Sequence, residues 1–262
     1  MWTDQILNRL KHPISREMLL CYPTLVSTND TAKELAVAGA PVSTTVIADS
    51  QSGGRGRMGR SFHSPAGCGI YLSRILRPGC PPTQLMHLTC AVAVTVCDAI
   101  EKACGFRPGI KWVNDLIALE RKLGGILTEM SLNGNGDVNY CVIGIGINCA
   151  ATAMPAELSS IAISLEEALG HPVEREAVIA ALMDSLTEME VRLTEQQYWI
   201  HRYRADCVTL GNEIRVMAQP PYSAKALDVD ENGALVLSLP DGTEKILAAG
   251  EVSIRGMYGN SE

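Results

Sequence analysis

Three arginines fall within six positions of a glycine-dense stretch, Gly53-Gly54-Arg55-Gly56-Arg57-Met58-Gly59-Arg60. Glycine lets a main chain approach a ligand closely and present its N–H groups. Arginine pairs with phosphate or carboxylate through two parallel hydrogen bonds. The stretch also contains G-x-G-x-x-G at Gly54, Gly56 and Gly59, which invites a dinucleotide-fold reading. That fingerprint requires a helix beginning inside the glycines. Here Ser61-Phe62-His63-Ser64-Pro65 follows, which is no helix. The expectation is a flexible loop that offers guanidinium groups to a small anionic ligand. No acid follows nearby after Asp49, so positive charge is concentrated locally in a chain whose net charge is −7.

Three further clusters could share that chemistry. Lys111-Trp112-Val113-Asn114-Asp115 places a cation, an aromatic ring, an amide and a carboxylate in five residues at a strand end. Asp115 could hold Mg2+ through water, as carboxylates do in nucleotide sites. Lys122-Leu123-Gly124-Gly125 sets a lysine beside two glycines that permit close ligand approach. A lysine between a carboxylate and a phosphate would neutralise both in a transition state. Gly144-Ile145-Gly146-Ile147-Asn148 puts glycines into an apolar strand, where they would leave an open surface for a flat ligand, and Asn148 at its end could bond a base edge.

The elements that must position these residues can be read from hydropathy period and punctuation. Residues 1–20 read as an amphipathic helix. Ser27-Thr28-Asn29-Asp30 supplies N-cap residues for a helix closed by Gly39. A β-branched strand over 43–50 runs into the arginine–glycine loop, and 69–76 is a second strand. Residues 84–104 carry apolar side chains at helical spacing and end at Gly105. Short strands are expected at 110–113, 116–119 and 123–130, the last two joined by a charged turn at 120–122. Residues 138–147 read as a central strand because both faces are apolar. Loops are expected over 131–137 and 149–162. Ser164-Leu165-Glu166-Glu167 is a capping box. Residues 174–203 read as helical with a break near 194–196. From about 205 the period falls to two, and Asn232-Gly233 and Asp241-Gly242 are hairpin turns. The module is SH3-like in size and strand count. The expected division is a catalytic domain over 1–204 and a small β-barrel domain over 205–262.

Length and composition allow this. At roughly 100–200 residues per domain, 262 residues make one large domain or a large and a small one. The 47% hydrophobic content supports a sizeable core. No apolar run approaches the ~20 residues of a membrane span, and the start lacks an apolar signal core, so cytoplasmic residence without membrane contact is expected. The nine cysteines are scattered without a C-x-x-C pair and the five histidines without paired ligand spacing. Buried apolar cysteines and no zinc site are the expectation.

Taken in order, Ser27-Thr28-Asn29, Gln51 with Gly54 to Arg60 and Ser64, Lys111 to Asp115, Lys122 to Glu129, and Gly144 to Asn148 resemble the motifs of the biotin–protein ligases. The resemblance spans about 27–150, and the module after 205 matches that family's small C-terminal domain in place and size. It implies an α+β fold: a mixed β-sheet flanked by helices, as in class II aminoacyl-tRNA synthetases, plus a small C-terminal SH3-like β-barrel. It implies biotin contacts at Ser27, Thr28, Asn29, Gln51, Arg55, Gly56, Arg57 and Lys122. It implies ATP contacts at Arg57, Lys111, Asn114, Asp115 and Asn148, with Mg2+ at Asp115 and catalytic roles for Lys122 and Arg57. The implied reaction forms biotinyl-5'-AMP from biotin and ATP and then biotinylates a lysine of a biotin carboxyl carrier domain. Phe62 stands where the family pattern has tryptophan, and Val113 where it has proline. Only 26 residues precede Ser27, too few for the helix-turn-helix domain of the DNA-binding members, so no DNA partner is expected. A lipoate–protein ligase, on a related fold, is the nearest alternative.

Overall fold

Pro13 lacks the N–H that a helix would need, and the first helix, α1, spans Trp2–Leu7 only. The computed structural model describes residues 2–150, 155–254 and 257. A strand, β1 (Leu19–Leu25), begins where the end of a helix is expected, after a short 3-10 turn at Arg16–Met18. It pairs in parallel with β2 (Thr45–Gln51), and as an edge strand it tolerates Pro23. The helix α2 (Thr28–Val37) lies between them, capped by the Ser27 side chain as its sequence requires.

β3 (Gly69–Leu76) leads through α3 (Leu88–Cys104) to β4 (Gly109–Lys111), β5 (Asp115–Ala118), β6 (Arg121–Leu132) and β7 (Val138–Asn148). The seven strands form one mixed sheet in the order β1-β2-β3-β7-β6-β5-β4, with β7 in the middle. The turn expected at 120–122 falls one residue earlier. Leu119 and Glu120 take positive φ angles of 46° and 60°, and Arg121 and Lys122 already belong to β6.

The two faces of the sheet are covered differently. Ala32 and Ala36 of α2 pack on Val46, Ile75 and Val142. On the other face Ile143, Ile145 and Ile147 join the main core with α3 and the helices α5 (Arg175–Val191) and α6 (Gln196–Asp206). The break between α5 and α6 covers 192–195. Ser164 caps the short α4 (Leu165–Leu169), its hydroxyl accepting from Glu167 N at 3.2 Å. Of the loop expected over 149–162, residues 151–154 lie outside the described residues. Pro82–Cys104 is long and apolar enough to cross a membrane, contrary to the reading that no run approaches that length, but 72% of its most apolar window is buried in the protein.

Five strands, β8 (Glu213–Val216), β9 (Tyr222–Val229), β10 (Leu235–Ser238), β11 (Glu244–Leu247) and β12 (Val252–Ile254), make a second, antiparallel sheet in the order β11-β10-β9-β8-β12. Both Asx-Gly pairs sit in its hairpins, with Gly233 and Gly242 at positive φ. The main core continues into it through Ile214, Ala224 and Leu235. Trp112 ties the parts together. Its backbone N donates to Thr209 Oγ1 at 2.8 Å and its indole Nε1 donates to Gly233 O at 2.9 Å.

Candidate active site

β7 reads Ile143-Gly144-Ile145-Gly146-Ile147, and alternation sends the isoleucines into the core and the glycines to the opposite face. That face is not an open platform for a flat ligand, as the glycines alone suggest. A Cβ at Gly144 would lie 2.1 Å from Asn29 Oδ1, and one at Gly146 would lie 2.7 Å from the Phe62 ring. The glycines instead seat two protein side chains against bare backbone. Phe62 meets Tyr71 edge-on, with centroids 6.3 Å apart. Tyr71 donates to Pro65 O at 3.0 Å.

Beside these side chains opens a cavity that is continuous with solvent. Ser27, Thr28, Asn29, Gln51, Arg55, Gly56, Arg57, Lys111, Asn114, Asp115 and Lys122 all line it, so the fold gathers eleven of the twelve expected site residues. Asn148 does not line it. Its Nδ2 donates to Ile163 O at 3.2 Å and Lys122 O at 3.4 Å, bracing the strand that carries the lysine.

One part of the lining is uncharged. Gln51 Oε1 accepts from Thr28 N at 2.8 Å and from Thr28 Oγ1 at 3.1 Å, and Gln51 Nε2 donates to Ser64 Oγ at 3.0 Å. Ser73 Oγ lies 2.8 Å from Thr28 Oγ1 and 2.6 Å from Asn29 Oδ1. Another part is ionic. Lys122 Nζ donates to Asp115 Oδ1 at 2.6 Å, and Arg57 Nη1 donates to Asn114 Oδ1 at 3.0 Å. Asn114 is fixed in turn, since its Nδ2 donates to Ile126 O at 3.0 Å. Lys111 is buried, and burial pushes its ammonium below the ordinary lysine value although Asp115 and Glu251 act the other way. The peptide between Trp112 and Val113, where the family pattern has proline, is cis.

The arginine–glycine loop is a small folded unit. Arg55 bridges Ser61, Gly56 N donates to Arg60 O at 2.7 Å, and Phe62 N donates to Gly54 O at 2.8 Å. Its turn, Arg57–Gly59, carries Met58 at φ 56°. The loop is not free of acids, as sequence distance suggests. Folding brings Asp30 to Arg55 and Glu251 to Arg60. Arg57 Nη2 also donates to Gly250 O at 3.4 Å. Gly250 and Glu251, which lead into β12, and Val252 at its start also line the cavity. No motif around them announces this, and only the tertiary fold brings them in.

Lys33 Nζ and Asn29 Nδ2 donate to Glu129 at 2.9 and 2.8 Å. Burial alone would raise the Glu129 carboxyl, but these two bonds outweigh it and hold it below the ordinary glutamate range. Among the described residues no group of three or more His, Cys, Asp or Glu side chains could hold a metal ion.

A cavity that joins paired cations to a neutral hydrogen-bonding wall, on a mixed sheet with a small β-module at its rim, defines the class. Residues 22–148 match the Biotin/lipoate A/B protein ligase family, and residues 209–255 match the Biotin protein ligase C terminal domain. The bifunctional ligase/repressor BirA of Bacillus subtilis is 36% identical over 253 residues, spanning 92% of this chain and 75% of the relative. The biotin–[acetyl-CoA-carboxylase] ligase of Paracoccus denitrificans is 32% identical over 85% of this chain and 95% of its own. The structure of the Aquifex aeolicus biotin protein ligase in complex with biotin and ATP matches with a TM-score of 0.77 at 26% identity, covering 90% of this chain and 98% of that one. The chain belongs to the biotin protein ligase family.

Proposed function

We propose that this protein activates biotin with ATP and transfers it to one lysine of a biotin carboxyl carrier domain. The observation that carries this reading is the joint lining of one cavity by Arg57, Lys111 and Lys122 and by the neutral set Ser27, Thr28, Asn29 and Gln51. The neutral set suits the polar, uncharged ring of biotin, with Arg55, Gly56, Arg57 and Lys122 towards its carboxylate. Lys111, Asn114 and Asp115 suit the nucleotide.

In the first step an oxygen of the biotin carboxylate attacks the α-phosphorus of ATP. The bond from that phosphorus to the bridging oxygen breaks and pyrophosphate leaves. Two anions must meet, and Arg57 and Lys122 stabilise the charge that builds between them. Mg2+ bound by phosphates needs only one or two protein carboxylates. Asp115, a single carboxylate beside Lys122, fits that donor set. Bound there, the ion would neutralise phosphate charge. In the second step the neutral amine of the carrier lysine attacks the acyl carbon, the carbon–oxygen bond to AMP breaks, AMP leaves, and the amine proton passes to solvent. No protein nucleophile is required. The loop over 53–60 closes over the mixed anhydride and keeps water from it.

This chemistry is assigned to the part expected over 1–204, although α6 runs on to Asp206, and the 250–252 segment beside the second sheet completes the rim. The reading takes the ligase half of the Bacillus relative's paired activities, since a net charge of −7 does not suit a general nucleic-acid surface. Cytoplasmic residence, where ATP and carboxylases meet, belongs to the same reading.

Incubation with ATP, biotin and a biotin carboxyl carrier domain tests it. One lysine of the carrier should be labelled with release of pyrophosphate, and lipoate should not replace biotin. Equal labelling with lipoate would overturn the choice of substrate. Lys122→Ala should slow pyrophosphate release by about 100-fold or more, as loss of an electrostatic donor does. Unchanged release would remove Lys122 from the mechanism.

A further inference from the structure

Asn29 is buried and its amide is gripped at both ends, at the oxygen by the Ser73 hydroxyl at 2.6 Å and at the nitrogen by the Glu129 carboxylate at 2.8 Å. Sheet register sets these grips. Gly144 lies beside Ser73 on β3 and beside Leu127 on β6, and Glu129 follows two residues further along β6 on the same face. The amide rests on the bare backbone of Gly144, in space that a single Cβ would take away.

Two acceptors decide which way the amide points, and the carboxylate at 2.8 Å is the closer and the charged one, the Leu127 carbonyl lying at 3.4 Å. An ionised carboxylate only accepts hydrogen bonds, so it draws the Asn29 NH2 towards β6. Turned over, the amide would set its oxygen against that carboxylate and lose a charge-assisted bond. Lys33 secures the arrangement by donating to the other carboxylate oxygen of Glu129 at 2.9 Å. Its ammonium also lies 3.1 Å from Asp30, which pairs with Arg55. The cavity wall and the first arginine of the loop are thus joined through Asp30, Lys33 and Glu129.

We infer that Glu129 is a positioning residue for biotin recognition: it fixes the Asn29 amide in one orientation, so that the substrate meets one pattern of donor and acceptor. This rests on the assignment of Asn29 to the biotin-binding wall. Glu129 itself touches none of the reacting atoms. Its loss should therefore act on affinity rather than on the chemical step.

Calorimetric titration of the full chain with biotin, without ATP, tests this alongside steady-state pyrophosphate release. Asn29→Ala should raise the biotin Kd by about tenfold, the equivalent of one good hydrogen bond. Glu129→Ala should raise it by a comparable factor, about fivefold to tenfold, with kcat at saturating biotin changed by less than about twofold. Glu129→Gln should fall between, because its side-chain oxygen can still accept from Asn29. In an Asn29→Ala background, Glu129→Ala should add less than about twofold, because the group it positions is gone. An unchanged Kd in both Glu129 variants would overturn the inference. So would a full additive effect in the Asn29→Ala background, or a kcat that falls in step with the rise in KM. If Asn29→Ala alone leaves Kd unchanged, the assignment of Asn29 fails and the inference with it, whereas biotin-dependent labelling of the carrier still stands.

Discussion

Gly144 is the position where one added carbon says most about the site. An alanine Cβ there would stand 2.1 Å from Asn29 Oδ1 and 2.8 Å from the rest of the amide, so Asn29 must move. The Ser73 and Glu129 bonds that hold the amide would break together. Overpacking of this kind costs about 1–3 kcal/mol of stability. The larger effect should be on the ligand, because the displaced amide is pushed into the cavity. Gly144→Ala should weaken biotin binding by about tenfold or more in a calorimetric titration, the scale of one or two lost hydrogen bonds. Gly134→Ala is the matched control, since an added Cβ there meets nothing within 4 Å. Equal biotin affinity in the two variants would show that Asn29 does not shape the site.

In the proposed mechanism, activity and containment both depend on the arginine–glycine loop. Arg57 crosses from it to Asn114 and to Gly250, joining the loop to the catalytic sheet and to the second sheet at once. Arg57→Gly removes both ties and one of the cations facing the phosphate. The mixed anhydride would then escape into solvent and acylate exposed lysines at random. Mass spectrometry of a mixture containing the carrier and a bystander protein should show label on both, where the wild type labels the carrier alone. If the variant remains confined to the carrier, the loop is not a lid. This element also marks where sequence stops being informative. Residues 53–60, 111–115 and 122–125 stood out because their chemistry lies in short runs with local spacing, whereas 27–29 read as a helix cap and, with Gln51, joined the site only through the resemblance. The pairings made by Asp30, Glu129, Gly250 and Glu251 were not legible, since sheet register and the placement of the second sheet create them. The same limit explains β1, which leans on a neighbour 26 residues away, as in the pairing of Leu19 with Thr45. Its own seven residues, with a proline among them, carry little strand signal.

At the scale of the whole molecule, the parts meet around His87. It precedes α3 and is fully buried, and its Nε2 lies 2.9 Å from Leu193 O in the break between α5 and α6. Its Cα lies 3.8 Å from where a Cβ on Gly233, in a turn of the second sheet, would stand. Its Nδ1 has no hydrogen-bond partner among the described residues. Burial lowers its affinity for a proton, against a weaker opposite effect of the Leu193 carbonyl, so the folded protein holds the neutral ring with Nε2–H donating. In the unfolded chain the same ring titrates near 6.5, the ordinary histidine value. As pH falls through that value the unfolded state takes up a proton that the folded state refuses. Stability is therefore complete above the ordinary histidine range and is lost on acidification, until the pH reaches the lowered value of the folded form. One such group contributes a slope of at most about 1.4 kcal/mol per pH unit in that window. His87→Gln keeps a donor for Leu193 and removes the titration. Urea unfolding of the wild type and this variant between pH 7.5 and 5 should give profiles that converge as pH falls, the wild type losing more. Parallel profiles would mean that His87 is free to protonate in the fold, and that the junction of helices and second sheet does not exclude charge.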